Sequence, residues 1–277
     1  STYTTMRIYG VGLHPSNNNN NNKKKKTSIE KETAAAAYTT KETKRMPSDL
    51  SNAIIEEQWD RCITICQTQP NAAKSWTNRL GLFEGIKDSK VLPIHEALVA
   101  EAPFTVIEAL LYAYPDSVYC KESSYQRLPL HCACRKNARL DVVDLLCQNY
   151  ADAALTADSL GRLPLHYALS NGANVDVIQC ILTHRPNAAR GFDKRGWTPL
   201  HVACGVGADN AVIERILECY PEAVLMRTNK GSTAKQCLNL TNAPNKADVK
   251  QLLRKYFAQV EGRYRPAQKV SSERILV

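Results

Sequence analysis

Apolar residues recur along much of the chain in one fixed arrangement. Val106, Ile107, Leu110 and Leu111 form a quartet, as do Val142, Val143, Leu146 and Cys147; Val177, Ile178, Ile181 and Leu182; and Val212, Ile213, Ile216 and Leu217. The spacing i, i+1, i+4, i+5 lays four side chains on one face of an α-helix, so each quartet predicts an amphipathic helix. Ahead of each quartet stands one tetrapeptide: Leu92-Pro93-Ile94-His95, Leu128-Pro129-Leu130-His131, Leu163-Pro164-Leu165-His166 and Thr198-Pro199-Leu200-His201. Its prolines are 36, 35 and 35 residues apart. Proline suits the first helical position, where its missing N–H would have no helical partner, so each phrase predicts the start of a short first helix. These helices run to roughly Asn171 or Gly205 and are followed by a polar turn.

A further step of 35 lands on Ala234, inside Thr233-Ala234-Lys235-Gln236, a worn copy of the phrase. Self-similarity at such a period marks a solenoid, because one helix pair cannot bury its apolar face alone and stacked neighbours can. The second helices are expected to end near Tyr114-Pro115, Tyr150-Ala151, Arg185-Pro186 and Tyr220-Pro221. An extended stretch then leads to Gly161, Gly196 or Gly231, each two residues before the next phrase, as a turn with positive φ requires. Lys90 and Gln126 hold the equivalent places in the first two units, where a different turn is expected.

The phrase and the residues after it, His95-Glu-Ala97, His131-Cys-Ala133, His166-Tyr-Ala168 and His201-Val-Ala203, resemble the Thr-Pro-Leu-His-x-Ala helix start of ankyrin repeats. The resemblance covers about Leu92 to Phe257 and implies an all-α, ankyrin-type helical solenoid, with a helix-turn-helix and a finger turn per unit. Two features depart from that family: a period about two residues longer, and Leu in place of Thr at 92, 128 and 163. In the family the Thr hydroxyl caps the helix and bonds the His ring. Only Thr198 can do so here, so the other histidines must find a different acceptor.

Four segments follow. Residues 1–47, with six asparagines and then Lys23 to Lys26, have too little apolar content to order and read as a disordered basic tail. Residues 48–91 read as N-terminal capping helices plus a long loop around Trp76 to Lys90, whose Trp76, Leu82 and Phe83 are expected to pack on the open end of the stack. The array spans 92–257, with units starting near 92, 128, 163 and 198 and a degenerate one at 233. Val249, Leu252, Leu253, Tyr256 and Phe257 are expected to close it, followed by a flexible basic tail over 258–277. That tail ends in Ile275-Leu276-Val277, which resembles carboxy-terminal ligands of PDZ domains.

Charge changes this picture little. The net +9 divides as +6 on residues 1–47, +1 on 48–257 and +2 on 258–277. A near-neutral body is not a groove for a phosphate backbone. No run of apolar residues is long enough for a membrane span, and no apolar stretch follows the N-terminal charges as a secretory signal would need. Ten cysteines placed in step with the repeat fit a reducing, intracellular setting, cytoplasmic or nuclear.

Candidate chemistry is sparse. His131-Cys132-Ala133-Cys134 invites a zinc reading, but Cys134 and Cys204 stand where other units have Leu98 and Leu169, and Cys147 stands where they have Leu111, Leu182 and Leu217. A place filled by Leu or Cys is a core place, since a free Cys behaves as a small hydrophobe. No metal site and no cofactor is expected. Cys132, one residue after the phrase His at a place expected to be partly exposed, is the thiol expected to react most readily. No orienting acid, oxyanion hole, phosphate loop or His-Glu-x-x-His accompanies it, so no enzyme is expected.

The resemblance implies a concave groove lined by fingers and first helices that binds other proteins. By register it would contain Arg127, Arg162 and Trp197 after the turn, Cys132, Tyr167 and Val202 after the phrase His, and nearby Arg135 and Phe192. Arg127 and Arg162 are expected to form an exposed ladder for an acidic segment of the partner. The chain thus reads as a monomeric, non-catalytic scaffold or adaptor. Two alternatives are a tether to nucleic acid or an anionic surface through Lys23 to Lys26, and, because the chain begins at Ser, a regulatory part of a larger enzyme.

Overall fold

A computed structural model describes residues 49–83 and 87–264. The Asn and Lys runs and Ile275-Leu276-Val277 lie outside them. The described residues form two rows of helices. First helices α3 (Pro93–Val99), α5 (Pro129–Arg135), α7 (Pro164–Ser170), α9 (Pro199–Val206) and α11 (Ala234–Asn239) pack each on the next. Second helices α4 (Phe104–Ala113), α6 (Leu140–Asn149), α8 (Val175–His184) and α10 (Asn210–Cys219) do the same. All sixteen quartet residues are buried, from 0 to 5 % exposed, between the rows.

α1 (Asp49–Ile55) packs on α3, and α2 (Trp59–Thr68) packs on α4, so this pair begins the stack. At the other end α12 (Lys246–Tyr264) lies on α10 and on the turn Pro221–Leu225. It buries Val249, Leu253, Tyr256 and Val260, while Leu252 is half-buried and Phe257 is 41 % exposed. The closing helix therefore runs seven residues past the expected end at Phe257. The i, i+4, i+7 stripe that continues through Val260 carries it on.

Three local features differ from the sequence reading. The stretch after each second helix opens as a 3-10 turn, as in Pro115–Tyr119, Ala151–Leu155 and Pro186–Arg190. The long first loop is a hairpin, with β1 (Thr77–Leu80) antiparallel to β2 (Asp88–Val91). Phe83 is buried and stands edge-on to Tyr125, Trp76 and Leu82 are half-buried, and Leu80 on β1 is 72 % exposed. Gln126 turns as the glycines do, with φ +58° against +76°, +75° and +78° at Gly161, Gly196 and Gly231. A turn imposed by the neighbouring fingers overrides the residue's own reluctance.

Each finger is tied to the one before by a backbone hydrogen bond. The amides of Ser123, Ser159, Lys194 and Asn229 donate to the carbonyls of Lys90, Tyr125, Leu160 and Arg195 at 3.2, 2.7, 3.0 and 2.9 Å. Lys90, on β2, thus lets the hairpin stand in for the missing first finger.

Candidate partner-binding surface

The phrase histidines are built into the stack. His95, His131, His166 and His201 are 0 to 2 % exposed. In each, Nδ1 accepts the amide N–H of the residue that starts the phrase, at 3.3, 3.2, 3.1 and 3.3 Å. The other nitrogen, Nε2, donates to a carbonyl on the segment leading to the next unit: Cys120 at 3.0 Å, Arg162 at 3.2 Å, Trp197 at 3.0 Å and Ser232 at 3.1 Å. Thr198 adds its hydroxyl to Nδ1 of His201 at 2.8 Å. The acceptor that the Leu units had to find is therefore the carbonyl used by the Thr unit as well. A ring that faces an N–H on one side and a C=O on the other must be neutral. Burial pushes His95, His131 and His166 down to about 4, and lowers His201 too.

The finger acids had no place in the sequence reading, yet they shape every turn. Asp158 Oδ1 accepts the amides of Leu160 and Arg162 at 2.8 and 2.9 Å. Asp193 Oδ1 accepts those of Arg195 and Trp197 at 2.8 and 2.9 Å. Glu122 does the same for Ser124, Tyr125 and Arg127, and Thr228 serves Ser232 through its hydroxyl. Burial alone would raise the Glu122 carboxyl, but hydroxyls of Ser89 and Ser124 and the donated amides hold it below the usual carboxylate range. The sequence signal was an acid four or five residues before Arg127, Arg162 and Trp197, in step with the period.

The second oxygen of each Asp explains the recurring arginines. Arg127 Nε lies 3.5 Å from Asp158 Oδ2, and Arg162 Nε 3.8 Å from Asp193 Oδ2. Each arginine points along the stack to the acid of the next finger. Tyr167 completes the first pair: its hydroxyl donates to Asp158 Oδ2 at 2.6 Å and accepts from Arg127 Nη2 at 2.9 Å. The guanidinium carbons of Arg127, Arg162 and Arg135 stand 5.0, 5.5 and 5.9 Å from the Tyr167 ring.

These contacts correct the expected site. Arg127 and Arg162 are buried, 2 and 8 % exposed, so the ladder is internal rather than offered to a partner. Cys132, Tyr167 and Val202 are also buried, Tyr167 against Arg127 of the preceding unit. Burial pushes the Cys132 thiol up to about 12, which suppresses the thiolate that a reactive cysteine needs. Arg135 is half-buried. Trp197 is half-buried too, its ring edge-on to His201. Of the eight residues, Phe192 is the one that stands well into solvent, at 71 % exposure.

Exposed side chains gather instead at the finger tips. Ala157, Phe192 and Arg227 hold the place before the finger acid or its Thr equivalent, and Leu160, Arg195 and Lys230 the place two after it; all are exposed. Lys194, next to the acid of the Phe192 finger, is exposed as well. Among the described residues no helix is long and apolar enough to cross a membrane.

Comparison with known families agrees over part of this stretch. A family profile described as ankyrin repeat matches residues 125–158, and one described as ankyrin repeats in three copies matches 152–226. None of the curated proteins compared matches the chain.

Proposed function

We propose that this chain, whose residues 125–226 match profiles of ankyrin repeats, a module that generally mediates protein–protein interaction, is a non-catalytic adaptor binding a partner protein through its finger tips. The observation that carries the reading is Phe192, a large aromatic left 71 % exposed beside the buried Asp193. Phe192 and Leu160 offer an apolar anchor, and Lys194, Arg195, Arg227 and Lys230 surround it with positive charge. Exposed aromatics flanked by arginine are typical of interface hot spots. The matching partner segment is one or two apolar side chains flanked by carboxylates. Arg127, Arg162, Tyr167, Cys132 and Val202 support this surface from within and are not contact residues.

The test is affinity capture from the host's own lysate, comparing the chain with a Phe192→Ser/Lys194→Glu/Arg195→Glu variant of unchanged circular dichroism. A partner held by the parent and lost from the variant supports the reading. Equal capture by both removes the finger tips as the site.

A further inference from the structure

The row of second helices carries one cluster that the repeat does not require. On α8, Cys180 and His184 stand four residues apart, one turn along the same helix face. Asp144, on α6 of the preceding unit, faces both. His184 Nε2 lies 2.9 Å and Cys180 Sγ 3.5 Å from Asp144 Oδ1, and the three atoms all lie within 4.8 Å of one another. All three side chains are half-buried.

The repeat gives no reason for this meeting. At the place of Asp144 other units have Glu108, Gln179 and Glu214; at that of Cys180, Ala109, Leu145 and Arg215; at that of His184, Ala113, Asn149 and Cys219. One carboxylate, one thiol and one imidazole coincide at a single seam of the stack.

We propose that Asp144, Cys180 and His184 bind a zinc ion that clamps α6 to α8. A thiolate with an imidazole favours zinc over the hard cations that seek oxygen alone. One thiolate and one carboxylate cancel the double charge of the ion, so a half-buried seam can hold it. Ligands about 2.0–2.3 Å from a tetrahedral zinc stand roughly 3.3–3.8 Å from each other, so the observed 2.9 and 3.5 Å need only small side-chain shifts. The fourth position opens toward solvent and takes water.

The experiment uses the whole chain, reduced and stripped with chelator, titrated with zinc against a chromophoric competitor and then with cobalt(II) as a spectroscopic probe. One tight equivalent is expected, and the cobalt form should show tetrahedral visible bands with a thiolate charge-transfer band. Cys180→Ser should abolish the charge-transfer band. Asp144→Asn and His184→Ala should each weaken zinc binding by more than the ~10–100-fold that loss of an outer partner costs. Zinc should raise the melting temperature of the parent and leave that of His184→Ala unchanged. The other nine cysteines make these differences, rather than total uptake, the criterion. Cobalt spectra unchanged by Cys180→Ser, or equal affinity in parent and His184→Ala, would overturn the assignment.

Discussion

Removing the Asp158 carboxylate, as Asp158→Ala, tests the internal reading of the recurring arginines. Three things are lost together: two amide hydrogen bonds at 2.8 and 2.9 Å, the acceptor of the Tyr167 hydroxyl, and the counter-charge of an arginine that is 2 % exposed. Taking one partner from a buried ion pair costs about 3–5 kcal/mol, because the remaining charge stays desolvated and uncompensated. Thr228→Ala is the internal standard. Thr228 closes the same turn with one neutral hydrogen bond at 3.1 Å, worth about 0.5–1.5 kcal/mol. Urea unfolding of the parent and both variants, followed by circular dichroism, measures the difference at constant denaturant slope. Asp158→Ala should exceed Thr228→Ala by at least about 1.5 kcal/mol. Equal losses would refute the argument, since Arg127 would then have no stake in the acid.

Further expectations concern the turns, the histidines and the thiols. Gly196→Ala should cost more than Gly231→Ala. Both pay the left-handed penalty of ~1–2 kcal/mol, but a Cβ at 196 meets the Asn229 amide nitrogen at 2.8 Å, whereas one at 231 meets nothing within 4 Å; thermal melts compare them. Acidification should destabilise the stack steeply. A histidine at about 4 when folded and 6.5 when unfolded leaves the unfolded chain holding more protons, so its contribution is complete above pH 6.5 and falls as pH drops toward 4. At pH 5 the loss is about 2 kcal/mol for each of His95, His131 and His166, and Glu122 adds to it further down. Urea midpoints across this range check the slope. Mass-mapped thiol labelling of the native chain should reach Cys120, Cys180 and Cys219, which are partly exposed, well before Cys132.

The sequence showed the stack itself because burial between units imposes a period. The apolar quartets and the Cys-for-Leu exchanges at 134, 147 and 204 report the same core and are buried, and Pro93, Pro129, Pro164 and Pro199 start their helices. The contact surface was far less legible. A recurring Arg in a polar stretch looks the same whether it meets a partner or the next finger's acid. Only the spacing from Arg127 to Asp158 and from Arg162 to Asp193, 31 residues each time, hinted that the pair spans adjacent units. The place after the phrase His misled for a related reason. It holds Cys132, Tyr167 and Val202, a mixed set that reads as tolerant surface, yet all three are buried. Gln126 shows the same limit in the backbone, where the ladder between fingers decides the turn.

In the proposed function the finger tips, not the outer helices, receive the partner. Hydrogen exchange of the chain alone and in complex with its captured partner measures this directly. Slowed exchange is expected over residues 155–161, 190–197 and 226–231, with the second helices 140–149 and 175–184 unchanged. Protection confined to those second helices, with the three fingers exchanging as in the free chain, would contradict it.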